Sequence, residues 1–294
     1  MKLVWIAQRL GRHGQRRKLV RIASSLFFVV AFTALCLYIL LAYYLASDPR
    51  LVPVAFQRAK SILLVTAHPD DETLFFSPSI AYRRDDPHVQ RALLVISSGE
   101  RRRQEIHDSC SVLGIAPDRY VVLDNVELQD NPKKWWDDDL IKELVASHVQ
   151  KWNVDLIITF DDGGVSGHIN HRAVSAGVRK YITSTSNAPP AYTLQSTFLL
   201  RKYSSLLDLI PTSIPFSWRI FKAILTSPAT SRADGVHDLS PLEAYNDKVL
   251  LVSPWRTYLV SRAAFSQHAS QYSWDRSLYL VMSRYMWFNN LSKL

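Results

Sequence analysis

Short apolar runs at 61–66, 91–97, 120–123, 155–160 and 192–197 alternate with longer stretches at 72–84, 101–113, 136–152 and 171–182, whose apolar residues recur at helical spacing. The first four runs are almost continuously apolar, which predicts strands covered on both faces. Alternation of this kind predicts an α/β domain on a mostly parallel, doubly wound sheet with helices on both faces. In such sheets, ligands collect in loops at the carboxyl ends of the strands. Beyond Arg201 the pattern fades. Pro211, Pro215, Pro228, Pro241 and Pro254 cut the chain into short pieces, and the aromatic tail (Trp274, Tyr279, Tyr285, Trp287, Phe288) reads as core or as membrane-surface contact.

Ahead of the first strand the pattern is of another kind. Residues 22–47 carry no charge, and 26–45 form an apolar or weakly polar run that spans roughly 30 Å as a helix, the thickness of a bilayer core. A buried core helix normally shows a polar stripe, and a cleaved leader has a shorter apolar part that ends at small residues. This run has no stripe and ends at Tyr43 and Tyr44, which suit the headgroup layer. The expected organisation is a basic arm (1–25), a transmembrane helix (26–45), a linker containing Pro49 and Pro53 (46–60), and a folded domain from 61 to 294.

Charge changes the picture of partners. Of the net +9, seven positive charges lie before residue 22, and removing them leaves +2 for the rest, so a basic nucleic-acid face is not expected. The same arm places itself in the cytosol and the body across the membrane by the positive-inside rule. Cys36 and Cys110 are the only cysteines, which excludes both a disulfide scaffold and a four-thiolate zinc site.

Two strand ends hold a density of ligand-type residues. The first runs into Ala67-His68-Pro69-Asp70-Asp71-Glu72, the second into Asp161-Asp162-Gly163-Gly164-Val165-Ser166-Gly167-His168-Ile169-Asn170-His171. In a parallel sheet both loops open on one edge and supply imidazole and carboxylate to one pocket, the donor set of a catalytic zinc. A tight turn at Pro69 aims His68 and Asp71 together and sends Asp70 elsewhere, leaving one carboxylate to move protons. His168 and His171, three apart at a helix start, share a face. Gly163, Gly164 and Gly167 allow positive φ or a close backbone approach. The plainer reading is that Asp70-Asp71 and Asn170 simply cap helix N-termini. His13, His88, His107, His148 and His237 have no comparable company and read as surface or core residues.

The two loops, with Phe75-Phe76-Ser77-Pro78 after the first and Thr159-Phe160 before the second, resemble the signature loops of the N-acetylglucosaminyl-phosphatidylinositol de-N-acetylase family, the eukaryotic branch of the PIG-L/LmbE-like zinc deacetylases. Ser109-Cys110, Leu113-Gly114-Ile115, Thr193-Leu194-Gln195-Ser196, Leu200-Arg201-Lys202-Tyr203, His268, Ser270-Gln271 and Ser283-Arg284-Tyr285-Met286 add to the likeness. It covers about 61–203 and the tail from about 257, with 204–256 divergent. The resemblance implies a Rossmann-like fold and one zinc ion held by His68, Asp71 and His171. It implies Asp70 as general base and His168 as the group that stabilises the oxyanion or protonates the leaving amine. The implied reaction removes acetate from N-acetylglucosaminyl-phosphatidylinositol, a glycolipid, at the endoplasmic reticulum membrane in the second step of glycosylphosphatidylinositol anchor synthesis. The family's catalytic domain faces the cytosol, opposite to the orientation read from the arm. A bound zinc suits amide hydrolysis because it polarises the carbonyl and acidifies water.

One departure stands out. The family's glycine-containing loop after Ser-x-Gly is missing, since Ser97-Ser98-Gly99 runs directly into Glu100-Arg101-Arg102-Arg103-Gln104-Glu105. Arg102 and Glu105 still match an Arg-x-x-Glu pair, and Arg102 is the candidate contact to the inositol phosphate, although the run Arg101-Arg102-Arg103 reads first as a solvated helical turn. The alternative expectation is a catalytically impaired, membrane-anchored homologue that binds glycolipid or a partner.

Overall fold

The structure is a computed structural model that describes residues 2–97, 102–226 and 240–294. Its strands are β1 (Ser61–Thr66), β2 (Gln90–Val95), β3 (Tyr120–Val122), β4 (Leu156–Phe160), β5 (Ala191–Leu194), β6 (Lys248–Val252) and β7 (Phe288–Lys293). They form one sheet in the order β3-β2-β1-β4-β5-β7-β6. From β3 to β5 all pairings are parallel, with Ser61 opposite Gln90 on one side of β1 and Ile62 opposite Leu156 on the other. The order reverses between β1 and β4, so the loops that follow these two neighbouring strands flank the switch-point crevice where such sheets bind ligands. The sequence pattern therefore leads to the observed α/β class.

Strands β1 and β4 are buried along their whole length, as expected for strands with helices on both sides. The helices Asp138–Lys151 and Ile169–Ser184 pack on each other, and Arg102–Leu113 packs on Trp255–Phe265. The right-handed rule for parallel crossovers assigns these pairs to opposite faces of the sheet.

One expectation is corrected, and two regions are filled in. The helix expected over 72–84 is two short helices, Asp71–Leu74 and Ser77–Ile80. Pro78 sits in the first turn of the second, where its missing N–H costs nothing, and the chain restarts there instead of continuing. The region after Arg201 joins the sheet: β7 lies antiparallel between β5 and β6. The apolar run expected as a helix over 26–45 is helical and continues a longer helix. One helix extends over Lys2–Ile39 and passes into a π-turn at Leu40–Tyr44. Within it, Gln15–Tyr44 is long and apolar enough to cross a membrane. In the tail, Tyr279, Tyr285, Trp287 and Phe288 are core residues, whereas Trp274 is 82% exposed. The shortened connection at 98–101 and the stretch 227–239, with Pro228 and His237, lie outside the described residues.

Candidate metal centre

The β1 end builds the first half of the site. The chain turns sharply after His68, and Asp70 takes a left-handed backbone with φ of 110°. That conformation costs a non-glycine residue about 1–3 kcal/mol and persists only where surroundings enforce it. Here they do. The Asp70 N–H donates to Glu72 Oε2 at 3.0 Å, and Asp71 Oδ2 accepts from the backbone N–H groups of Ala67 (3.1 Å) and His68 (2.8 Å). Glu72 is itself fixed, because its Oε1 accepts from Ser109 Oγ at 2.8 Å and lies 2.7 Å from His268 Nε2. All three of these side chains are fully buried.

The β4 end builds the second half. Asp161 accepts from the N–H groups of Gly163, Gly164 and Ser196 and from the Ser196 hydroxyl, which in turn accepts from the Val165 N–H at 2.6 Å. Gly164 and Gly167 adopt φ of 55° and 75°, and even Val165 is held at 62°. Gly163 has a different reason to be glycine: a Cβ there would lie 2.7 Å from the Ser196 side chain. Asp161 and Asp162 thus organise the loop, Asp162 through Arg179 and Ser175. His168 takes the position that caps the helix Ile169–Ser184 with its backbone, and His171 lies in the first turn.

His171 is oriented from behind. Its Nδ1 lies 3.0 Å from the Gly164 carbonyl, which can only accept, so Nδ1 carries the hydrogen and Nε2 presents its lone pair to the site. The ring stacks on Phe160 at 4.2 Å and 10°. His171 Nε2 lies 3.4 Å from Asp71 Oδ1, and His68 Nδ1 lies 3.9 Å from Asp71 Oδ2. The ring centroids of His68 and His171 are 5.4 Å apart, and His168 stacks on His171 at 4.7 Å. One nitrogen from each of the three imidazoles falls within 4.8 Å of the others. Asp130 comes within 3.3 Å of His68 Nε2, yet this buried nitrogen, like His168 Nδ1, has no well-formed hydrogen bond among the described residues.

The electrostatics separate the two adjacent aspartates. Burial, aggravated by the Asp71 and Glu72 carboxylates, pushes Asp70 up. Burial acts on Asp71 in the same direction, but His171 and His68 outweigh it and hold Asp71 low. Burial lowers His168, and the neighbouring His171 and His68 add to this. For His68 burial is outweighed by the Asp130, Asp71 and Asp70 carboxylates, and its pKa is raised. The pattern is that of a site with one carboxylate committed to imidazole partners and one poised to exchange a proton.

His68, Asp70, Asp71, His168 and His171 all line one cavity of about 290 Å³, together with Arg102, Asp130, Lys202, Gln271 and Arg276. The structure thus brings every sequence-expected site residue to one place. The helix-cap reading accounts for only part of this: neither Asp70 nor Asn170 caps with its side chain. Among the described side chains, His107 lies beside Tyr120 and His148 against Trp152, both away from the cavity, and His88 is exposed. Reasoning from sequence missed the Glu72–His268–Ser109 node, Asp130, Lys202 and Arg276. His268, Ser109 and Lys202 fall in segments that carried the family likeness and offered a signal. Asp130 lies in an irregular stretch and offered none. Lys202 donates to Ser166 Oγ at 2.7 Å and sits over the Phe75 ring; burial, with Arg276 nearby, pulls it down to about 8.

Comparison with known proteins returns a family model described as GlcNAc-PI de-N-acetylase over residues 63–182. The N-acetylglucosaminyl-phosphatidylinositol de-N-acetylase of Bos taurus is 38% identical over 241 residues, which covers 79% of this chain and 83% of that protein. A probable enzyme of the same name from Schizosaccharomyces pombe is 30% identical over 241 residues, covering 80% and 86%. Among solved structures, N,N'-diacetylchitobiose deacetylase from Pyrococcus horikoshii overlaps 87% of this chain and 90% of its own, at 16% identity and a TM-score of 0.49.

Proposed function

This chain belongs to the N-acetylglucosaminyl-phosphatidylinositol de-N-acetylase family, and from that premise we propose that it is a zinc-dependent deacetylase acting on N-acetylglucosaminyl-phosphatidylinositol. The products are acetate and the free-amine glycolipid, and the reaction serves glycosylphosphatidylinositol anchor synthesis. The observation that carries this reading is the meeting of two separate strand ends around one cluster of imidazole and carboxylate, with a second carboxylate in the same cavity.

The donor set fits a divalent ion of the zinc type. Two imidazoles and a carboxylate converge, His171 is fixed with Nε2 inward, and His68 Nε2 is a buried polar atom with no well-formed hydrogen bond among the described residues. His68, Asp71 and His171 are assigned to hold it. When bound, such an ion supplies Lewis acidity, which polarises the amide carbonyl and makes water a better nucleophile.

The protein's own groups do the rest. Asp70, raised by burial and outside the hydrogen bonds formed among the described side chains, takes the proton from the attacking water as its oxygen bonds to the acetyl carbon. Breaking the C–N bond delivers that proton to the amine nitrogen, and acetate leaves. His168, whose ring lies 5.0 Å from that of His68 and stacks on His171, directs a ring N–H to the carbonyl oxygen as it gains charge. Lys202, Arg276 and Arg102 are cations on the cavity wall and are assigned to the phosphoinositol part of the substrate.

The helix Gln15–Tyr44 is assigned to span the endoplasmic reticulum membrane once, which keeps the enzyme in the plane of its lipid substrate. Residues 61–294 form the catalytic unit on the cytosolic side; this orientation follows the family and runs against the charge of the arm.

Purified full-length chain is expected to hold one zinc and to release acetate from the glycolipid. His171→Ala is expected to lose both metal and turnover. A metal-loaded wild-type chain that releases no acetate would reject the enzyme and leave a glycolipid-binding homologue.

A further inference from the structure

Only part of the apolar helix is free to meet lipid. Ala34, Tyr38, Leu41, Ala42 and Leu45 form one stripe at helical spacing and are buried against the body. Tyr38 donates to the Ser253 carbonyl at 3.0 Å, and the Tyr43 hydroxyl accepts from the Trp255 N–H at 3.0 Å. The charge-free stretch begins at Ile22, and residues 22–33, which precede the first buried contact, rise only about 18 Å. A bilayer core is about 30 Å thick. On the side away from the body, Leu35, Ile39 and Tyr43 remain exposed. The helix fills the bilayer only if the body elements beside its last turns lie at the same depth.

The outward faces of those elements are apolar where a water-facing helix is polar. In the helix Ser217–Leu225, Trp218, Phe221, Ile224 and Leu225 share one exposed face, while Ile220 points inward. In Trp274–Met282, the exposed face is Trp274, Leu278, Val281 and Met282, with Tyr279 and Leu280 inward. Phe198, Leu199 and Leu200 are 64%, 71% and 76% exposed.

These faces are tied to one another and to the long helix. The helix Lys2–Ile39 packs on Ser205–Asp208 and Leu209–Ser213. Ser205 Oγ donates to the Val281 carbonyl at 3.0 Å, and Tyr203 meets Tyr279 edge-on. Arg50 of the linker donates to the carbonyls of Lys222 and Thr226. An exposed apolar surface of this extent marks an interaction site. Its tryptophans and its continuity with the long helix fit a membrane interface. Lys202 and Arg276 of the catalytic cavity belong to two of the same elements, so the cavity opens at the edge of this surface.

We propose that these faces form a collar that sinks into the headgroup layer and outer acyl chains of the bilayer, and so holds the catalytic cavity at the height of a glycolipid's sugar. This rests on the reading of Gln15–Tyr44 as membrane-spanning. Burial of apolar area along the collar adds to the anchoring by the helix, in the manner of interfacial helices.

The test uses the full chain carrying Cys36→Ser; Cys110 is buried and stays. Single cysteines replace Leu200, Trp218 or Leu278 on the collar, or Phe32 on the free part of the helix, and each carries a polarity-sensitive dye. The chains are reconstituted in vesicles of phosphatidylcholine and phosphatidylinositol. The collar dyes are expected to be shielded from aqueous iodide and quenched by lipids with a nitroxide near the headgroup, and the dye at 32 by a nitroxide deep in the acyl chain. Collar dyes open to iodide, with the dye at 32 quenched deep in the bilayer, overturn the collar and leave the membrane span standing. A dye at 32 open to iodide instead refutes the span itself. Collar dyes shielded from both quenchers mean that protein covers the faces, a second copy or a partner, which also overturns the proposal.

An activity measurement keeps the proposal falsifiable without dyes. Trp218→Glu and Leu278→Glu are surface changes, expected to slow turnover of vesicle-embedded glycolipid about tenfold and to leave turnover of a water-soluble N-acetylglucosaminyl-inositol unchanged. Equal loss on both substrates overturns the collar.

Discussion

Two neighbouring aspartates have their pKa values shifted in opposite directions because their surroundings differ. Asp71 is wrapped by two backbone N–H groups and two imidazoles, whereas Asp70 is turned away on a left-handed backbone that Glu72 enforces. His268 and Ser109 secure Glu72, and the charge of Glu72 outweighs burial to raise His268. The histidines divide in a similar way. His171 is held through Nδ1, while His168 Nδ1 has no partner among the described residues. His168→Ala is therefore expected to retain zinc while turnover falls by about 10²-fold or more. Loss of zinc in that variant, measured by elemental analysis, would make His168 a ligand. Lys202 gives a pH dependence. With its pKa brought down to about 8, it is charged below that value and neutral above it. The KM for the phosphate-bearing substrate is expected to rise as pH passes upward through about 8, and the rise is expected to vanish in Lys202→Gln.

Loops and helices show what a sequence can disclose. Both site loops were legible because strand periodicity located them and parallel pairing put them on one edge. Pro78 was legible too, yet the helical spacing around it masked the restart at Ser77. β7 escaped notice because its Phe-Asn-Asn-Leu-Ser-Lys sequence lacks a continuous apolar run. Its Asn289 is buried and satisfied by Ser79 and by the Phe75 carbonyl, partners more than two hundred residues away. The Glu72–His268 pair is equally remote in sequence, and no local pattern encodes it. The second loop can be tested at Gly163. A methyl group there meets Ser196, whose hydroxyl anchors both Asp161 and Val165. Gly163→Ala is expected to cost about 1–3 kcal/mol in chemical denaturation and to weaken zinc retention, because the same loop leads into His168 and His171. Unchanged stability would mean that the loop relaxes freely.

On the scale of the whole molecule, the sheet positions the cavity, and the proposed membrane span and collar set its height above the bilayer. The reversal between β1 and β4 creates the crevice, the C-terminal strands and helices close it through His268 and Arg276, and the long helix docks along the body through Tyr38 and Tyr43. The apolar run was evident from composition, but its partial burial was not, since nothing in residues 34–45 distinguishes a lipid-facing side chain from a body-facing one. The proposed function centres on a single ion held at two strand ends beside one unligated aspartate. Acetate release from the glycolipid by full-length Asp70→Asn, scored together with its zinc content, tests this most directly. One zinc per chain with turnover reduced about 10²–10⁴-fold is the predicted result; native-rate release by the zinc-loaded variant would contradict it.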